Sequence, residues 1–228
     1  MDYKKIMKKT WHFIWKDDSI WSWIVNVILA FVLIKYIVYP VLGFMLATSH
    51  PVVAVVSGSM EHKMVAPCEK SLKNIICYDR SDSRFELCGM DFEKKQRVNL
   101  DFYWQTCGEW YAENFGINQD QFSSFEFKRG FNTGDIMVLK GQEPGKIQIG
   151  DVVVYKGSRP DPIIHRVVRK YREDGEWFFQ TKGDHNPDSN FDEKRISESQ
   201  LIGKAFFRIP LLGWIKIWFV RLVQLVIP

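Results

Sequence analysis

Two common signals of function are missing from this sequence. Its four cysteines show no Cys-x-x-Cys spacing, so the pattern of a structural zinc site is absent. The net charge is only +4, and no long run of Lys and Arg is interleaved with aromatic residues. That charge pattern does not indicate a nucleic-acid-binding protein. Aromatic residues, which are scarce in disordered chains, make up 15% of the sequence, so we expect the chain to fold around a core.

The sequence contains one long apolar run, residues 20–47, in which Lys35 is the single charged residue. A bilayer core of ~30 Å requires about 20 helical residues, so this run predicts a transmembrane anchor. A cleaved secretory signal is the alternative, but its apolar region is only ~7–15 residues long. Five lysines precede the run, and they are Lys4, Lys5, Lys8, Lys9 and Lys16. The positive-inside rule therefore predicts a cytoplasmic tail (residues 1–19), a single pass through the cell membrane and the rest of the chain outside.

Residues 209–228 form a second apolar segment, but Lys216 and Arg221 interrupt it. Charges in so short a stretch disfavour a transmembrane helix. We therefore expect a membrane-associated C-terminal helix that lies at the interface, with a second pass as the alternative.

The remaining sequence is typical of a mainly β protein. Short β-branched or apolar segments are separated by turn signals such as Asp174-Gly175 and Gly183-Asp184. The segments that predict strands are residues 51–56, 136–139, 152–155, 163–168, 177–181 and 201–209. We expect them to form one β domain from residues 48–62 and 130–208.

Residues 63–129 differ from these flanking segments. They are charged and rich in aromatic residues, which predicts an inserted cap subdomain and not a flexible linker. All four cysteines lie there, and they are Cys68, Cys77, Cys88 and Cys107. Outside the membrane they are expected to form two disulfides, for which three pairings are open.

Ser59 and His165 are the candidate catalytic pair. A serine becomes a nucleophile when a base removes its proton, and histidine can do so near neutral pH. His165 lies within a β-branched apolar segment that would hold its side chain rigidly, whereas His62 is three residues from Ser59 in a less defined setting. An orienting carboxylate completes such a site, and Asp184 and Asp188 are the candidates. Both could instead cap the turn in which they lie.

Five short motifs follow one another along the chain. They are Ser57-Gly58-Ser59-Met60, Gly150-Asp151-Val152-Val153-Val154, Ile164-His165-Arg166-Val167, Thr181-Lys182-Gly183-Asp184-His185-Asn186 and Ile202-Gly203-Lys204-Ala205. By these motifs, in this order after an anchor, the chain resembles the type I signal peptidases. It is most similar to their histidine-containing branch, found in archaea and the endoplasmic reticulum, because the bacterial branch has a catalytic lysine where this chain has His165. The resemblance covers the anchor, residues 51–60 and most of residues 131–213, whereas the insert lies outside it.

The resemblance implies a signal-peptidase-like β core and a serine endopeptidase that removes signal peptides from exported preproteins. Ser59 would be the nucleophile and His165 the general base, and Ser57 with the Ser59 N–H would form the oxyanion hole. The family's aspartate usually lies in a Pro-Asp pair about six residues beyond the aspartate that corresponds to Asp184, but position 190 is Asn here. The nearest Pro-Asp pair is Pro187-Asp188. We therefore assign the orienting role to Asp188 in preference to Asp184.

An extended substrate could add as a strand beside residues 51–56. The residues expected to line its shallow pockets are Val53, Val55, Met60 and Ile163. The expected partners are signal-peptide-bearing preproteins, the lipid bilayer and the secretion translocon, with no nucleic acid, cofactor or metal. The alternatives are a processing peptidase dedicated to a pilin or surface protein, and a non-catalytic membrane-anchored binding protein of the export machinery.

Overall fold

The computed structural model describes residues 3–66, 68–71, 74–77, 84–158, 160–215 and 217–218. For residues 68–71 and 74–77 it describes the backbone alone. The chain forms two compact units, of which the first ends at Pro51 and the second begins at Val52.

The first unit is helical. Its elements are α1 (Tyr3–Trp15), α2 (Ile20–Leu33), a π-helical turn (Ile34–Val38) and α3 (Tyr39–Met45). The last three run on without a break as one apolar helix of 26 residues, Ile20–Met45, which is long and apolar enough to cross a membrane. Ser19 caps its start by accepting a hydrogen bond from the Ser22 N–H at 3.3 Å.

The second unit is mainly β, as the sequence predicts, with two helices from the insert. Its strands are β1 (Val52–Ala54), β2 (Cys68–Ser71), β3 (Asn74–Cys77), β4 (Phe85–Leu87), β5 (Met90–Phe92), β6 (Ile136–Lys140), β7 (Val152–Tyr155), β8 (Ile163–Glu173), β9 (Glu176–Lys182), β10 (Ile196–Ser197) and β11 (Leu201–Ile209). Its helices are α4 (Leu100–Phe115) and α5 (Gln119–Ser124), and 3₁₀ turns lie at Pro144–Lys146, Phe191–Glu193 and Glu198–Gln200.

Seven strands form one curled antiparallel sheet in the order β1-β6-β11-β7-β8-β9-β10. β7 lies in its middle and all four of its side chains are buried, which explains its uninterrupted Val-Val-Val-Tyr sequence. β1 lies at one end of the strand order and pairs with β6 alone in this sheet. Among the strands that the structure describes, none pairs with the other edge of β1, so the strand that leads towards Ser59 has an edge without a strand partner.

The insert shares a hydrophobic core with the sheet. Buried side chains from the insert pack against Val168 of β8, and they include Met64, Leu87, Tyr103, Cys107, Tyr111, Ile117 and Phe122. α4 begins at the cap Asn99, which accepts the Phe102 N–H at 2.8 Å, and ends at Gly116 with φ +64°, a left-handed conformation that glycine adopts readily. Apart from its two short hairpins, β2–β3 and β4–β5, the insert is thus a helical layer on β8 within the second unit.

One disulfide joins two parts of the insert. It links Cys88, at the turn of the β4–β5 hairpin, to Cys107 of α4. The backbone register of β2–β3 places Cys68 opposite Cys77, whose side chains lie outside the described residues. The C-terminal helix expected over residues 209–228 also lies largely outside them, although β11 continues to Ile209 and a helical turn begins at Trp214.

We expect a Cys88→Ala/Cys107→Ala double variant to fold less stably than the wild type. Closing a loop of this size removes unfolded-state entropy worth about 3 kcal/mol. For a chain of this length that loss corresponds to a Tm lower by roughly 6–12 °C. Thermal unfolding of the full chain in detergent measures the change. Alkylation of Cys88 and Cys107 in denatured protein that has never been reduced would contradict the bond.

Candidate active site

The backbone of Ser59 is held in a tight turn beyond β1. The Glu61 N–H donates to the Gly58 carbonyl at 3.0 Å, which closes the turn, and the Phe131 N–H donates to the Met60 carbonyl at 3.0 Å. The Ser59 carbonyl itself accepts the His185 N–H at 2.8 Å. The loop after β9 therefore fixes the position of Ser59 from the other side of the site.

His165 faces Ser59 from the middle of the sheet. It lies on β8, where the register pairs it with Val153 of β7, and only 6% of its surface is exposed. The distance from His165 Nε2 to Ser59 Oγ is 2.7 Å. The structure thus brings together the serine and the histidine that the sequence singles out.

Glu193 is the carboxylate that contacts His165. Its Oε1 is hydrogen-bonded to His165 Nδ1, and its side chain is 1% exposed. The other oxygen, Oε2, accepts the N–H of Asn190, whose side chain caps the 3₁₀ turn that ends at Glu193. Because a carboxylate only accepts hydrogen bonds, this contact favours the His165 tautomer with its proton on Nδ1, in which Nε2 can accept from Ser59.

Asp184 and Asp188, the carboxylates that the sequence favours, lie elsewhere. Asp188 is exposed, and its carboxylate accepts the Trp110 Nε1–H at 3.1 Å. Asp184 is buried against Arg166. Since Ser59 and Glu193 already use both ring nitrogens of His165, we replace the assignment of Asp188 or Asp184 by Glu193. The Asn-x-x-Glu spacing of residues 190–193, a capping-box pattern, is the sequence signal that could have found it.

Arg166 and Asp184 form a fully buried ion pair beside the site. Arg166 donates to the two Asp184 oxygens from Nε at 2.9 Å and from Nη2 at 2.7 Å. Its other three N–H groups donate to backbone carbonyls at 2.9 Å, those of Glu126, Phe127 and Gly150. All five guanidinium donors are therefore satisfied, which a buried arginine requires.

His62 belongs to this ion pair and not to the Ser59 side chain. Its Nε2 lies 2.9 Å from Asp184 Oδ2, and its ring stacks on Tyr103 with centroids 3.7 Å apart. Burial lowers the pKa of His62, and the hydrogen bond to Asp184 opposes that effect. Burial alone would raise the pKa of Asp184, but the charge of Arg166 and the hydrogen bonds from His62 and Arg166 hold it well below its ordinary value.

The Lys182-Gly183 pair connects the insert to Ser59 and His165. Lys182 is 1% exposed, and its Nζ lies 5.0 Å and 4.9 Å from the ring centroids of Trp110 and Tyr111 in α4. It donates to the Gly183 carbonyl at 3.2 Å, and burial lowers its pKa to about 8. A Cβ on Gly183 would lie 2.9 Å from both His165 Nε2 and the Ser59 carbonyl, so this position has room for glycine alone.

The residues predicted for the oxyanion hole and the substrate pockets differ in how exposed they are. Ser57 Oγ lies 3.2 Å from Ser59 Oγ, close enough to face the same reacting group. Val53 and Ile163 are half-buried and pack on the core. Val55 and Met60 are 2% and 1% exposed, so a bound peptide cannot contact their side chains without rearrangement. We therefore withdraw Val55 and Met60 as pocket residues, because both fill the core beneath the site.

Comparison with known proteins adds no assignment, since no protein-family model and no curated protein matches the chain. Within the described part of the chain, no three His, Cys, Asp or Glu side chains are grouped to hold a metal ion. What the site can do is therefore argued from its geometry.

We expect Asp184→Asn to destabilise the second unit strongly. The substitution keeps the shape but leaves the Arg166 charge buried without its counter-ion, which typically costs about 3–5 kcal/mol. The matched control is Asp188→Asn, an exposed carboxylate in the same loop, for which we expect a change within about 1 kcal/mol. Thermal or urea unfolding in detergent measures both.

The pH dependence of stability follows from the same carboxyl. The folded-state pKa of Asp184 is depressed, so its contribution is complete above the unfolded value of ~3.9 and is lost as the pH falls below it. Wild type should therefore lose more stability than Asp184→Asn as the pH falls from about 5 into the strongly acidic range. Equal stability of the two Asn variants, or parallel acid profiles of wild type and Asp184→Asn, would contradict the role of the pair.

Proposed function

We propose that this protein is a membrane-anchored serine endopeptidase that removes signal peptides from exported preproteins, with Ser59 as nucleophile and His165 as general base. The observation that carries the proposal is the 2.7 Å contact between Ser59 Oγ and His165 Nε2, with Glu193 on the other ring nitrogen. A serine hydroxyl on one ring nitrogen of a histidine and a carboxylate on the other is the arrangement that activates a serine for acyl transfer. The motifs around these residues resemble those of type I signal peptidases, and that resemblance supports the choice of substrate.

The reaction follows from the geometry. His165 Nε2 takes the Ser59 proton as Oγ attacks the scissile carbonyl, and it then returns that proton to the leaving amine. Ionised Glu193 holds the ring and stabilises the imidazolium that forms. That amine is the new N-terminus of the mature chain, which leaves at this step. Water next attacks the acyl-enzyme, with His165 again as base, and the ester breaks to release the signal peptide as a carboxylic acid and to regenerate Ser59. The Ser59 N–H and the Ser57 hydroxyl would stabilise the oxyanion, and one such donor contributes about 2.7–4 kcal/mol.

The open edge of β1 is where the substrate would bind. An extended peptide can hydrogen-bond to an unpaired strand edge, and this edge leads directly into the turn that carries Ser59. Gly183 keeps that region free of a side chain beside His165 Nε2 and the Ser59 carbonyl. Both features favour a peptide, rather than a small molecule, as the substrate.

Membrane attachment suits this substrate class. The helix Ile20–Met45 can cross a bilayer, and the lysines before it favour a cytoplasmic N-terminus. With that topology the second unit lies outside the membrane, on the side where a signal peptide's cleavage site emerges. We therefore propose the cell membrane as the location, with the catalytic unit outside.

Ser59→Ala and His165→Ala should each abolish cleavage of a model preprotein by the full chain in liposomes, because each removes one half of the nucleophile–base pair. We expect kcat to fall by at least about 10⁴-fold for either variant. Unchanged thermal unfolding of the variants is the control for folding. Near-normal cleavage by His165→Ala would overturn the mechanism, and normal cleavage by Ser59→Ala would overturn the activity itself.

Glu193→Gln should lower kcat by roughly 10²- to 10⁴-fold with little change in KM, because an amide no longer favours the productive His165 tautomer or stabilises the imidazolium. Asp188→Asn is the matched control and should retain kcat within about threefold, since it does not contact His165. Initial rates over a range of preprotein concentrations separate kcat from KM. A larger loss at Asp188 than at Glu193 would return the orienting role to the aspartate.

A further inference from the structure

α1 separates its apolar and cationic side chains onto different faces. At about 100° per residue, one arc of roughly 120° carries no charged side chain, and Trp11 lies next to one border of it, followed by Lys4 and Trp15. The members of that arc are Tyr3, Ile6, Met7, Thr10, Phe13 and Ile14, all apolar or aromatic except Thr10. The opposite arc carries Lys5, Lys8, Lys9, His12 and Lys16, with Lys4 beside the tryptophans.

Most of the apolar face of α1 is not covered by the described residues of the first unit, in which only Phe13 and Ile14 of this face are half-buried. None of the α1 residues is buried, and Met7, Trp11 and Trp15 are 73%, 63% and 68% exposed. A helix of 13 residues is marginal by itself in water, so this one requires a surface on which to lie.

The place of α1 along the chain limits what that surface can be. α1 ends at Trp15 and the candidate span begins at Ile20, so four intervening residues reach at most ~14 Å. Two side chains of α2 also hold the last turn of α1. Ser22 Oγ donates to the Phe13 carbonyl at 2.5 Å, and Asn26 Nδ2 donates to the Ile14 carbonyl at 2.8 Å. If Ile20–Met45 crosses a bilayer, α1 must therefore lie at its surface.

The positive charge of this segment favours a surface of anionic lipids. Residues 3–19 contain five lysines, balanced only by Asp17 and Asp18, so their net charge is +3. Tryptophans at the border between an apolar and a cationic face are typical of helices that lie at the level of lipid headgroups. We propose that α1 is an interfacial helix that binds the anionic lipid surface at the N-terminal end of the span, rather than a free tail. The inference is independent of the proposed peptidase activity.

Hydrogen exchange of residues 3–15 tests this proposal on the full chain. The protein is reconstituted into lipid discs of phosphatidylcholine alone and into discs that also contain phosphatidylglycerol. We expect amide exchange in α1 to be slower in the anionic discs by on the order of tenfold. In 1 M salt, where the Debye length is about 3 Å, most of that difference should disappear.

A charge variant and a matched control separate lipid binding from packing against α2. Lys4, Lys5, Lys8 and Lys9 are changed together to Gln. In the control, four exposed lysines of the second unit are changed in the same way, namely Lys94, Lys95, Lys140 and Lys194. The first variant should lose the slowing in anionic discs and the control should keep it. Equal exchange in the two kinds of disc, or an equal loss in both variants, would overturn the proposal.

Discussion

The ion pair between Arg166 and Asp184 is the constraint on which the second unit depends. Both side chains are fully buried, and burying two charges is unfavourable unless each donor and acceptor finds a partner. The partners come from separate parts of the chain. Arg166 donates to the backbone carbonyls of residues 126, 127 and 150. Asp184 is hydrogen-bonded to the side chains of His62 and Tyr111. Strand β8, the loop after β9, the insert and the segment after Ser59 therefore meet at one point.

This constraint also shapes the candidate active site. His165 immediately precedes Arg166 on β8, and neighbouring strand residues point to opposite faces. Holding Arg166 on one face thus directs His165 to the other, towards Ser59. Gly183 immediately precedes Asp184, so the same pair places the residue without a side chain beside His165 Nε2. The insert takes part through Tyr111 and through the aromatic rings around Lys182. The insert therefore supports the site structurally.

The sequence predicts the parts of this arrangement that depend on local pattern. Short β-branched or apolar segments and a serine at a strand end identify β1, β7, β8, Ser59 and His165, because each lies in a distinctive setting of a few residues. Glu193 is harder to find, because its Asn-x-x-Glu capping box predicts a turn but not that the carboxylate reaches a histidine 28 residues earlier in the chain. Val55 and Met60 mislead for a related reason. Met60 directly follows Ser59 and Val55 lies four residues before it, yet the side chains of both complete the core.

Glu193 holds His165 through Nδ1, so that Nε2 can act on Ser59. Proton NMR of the full chain with isotopically labelled histidine ring nitrogens tests this claim most directly. The Nδ1 proton shared with a carboxylate gives a strongly downfield signal, which loss of the signal in His165→Gln assigns to that ring. We predict that this signal persists in Asp188→Asn and disappears in Glu193→Gln. Its persistence in Glu193→Gln, or its loss in Asp188→Asn alone, would contradict the account.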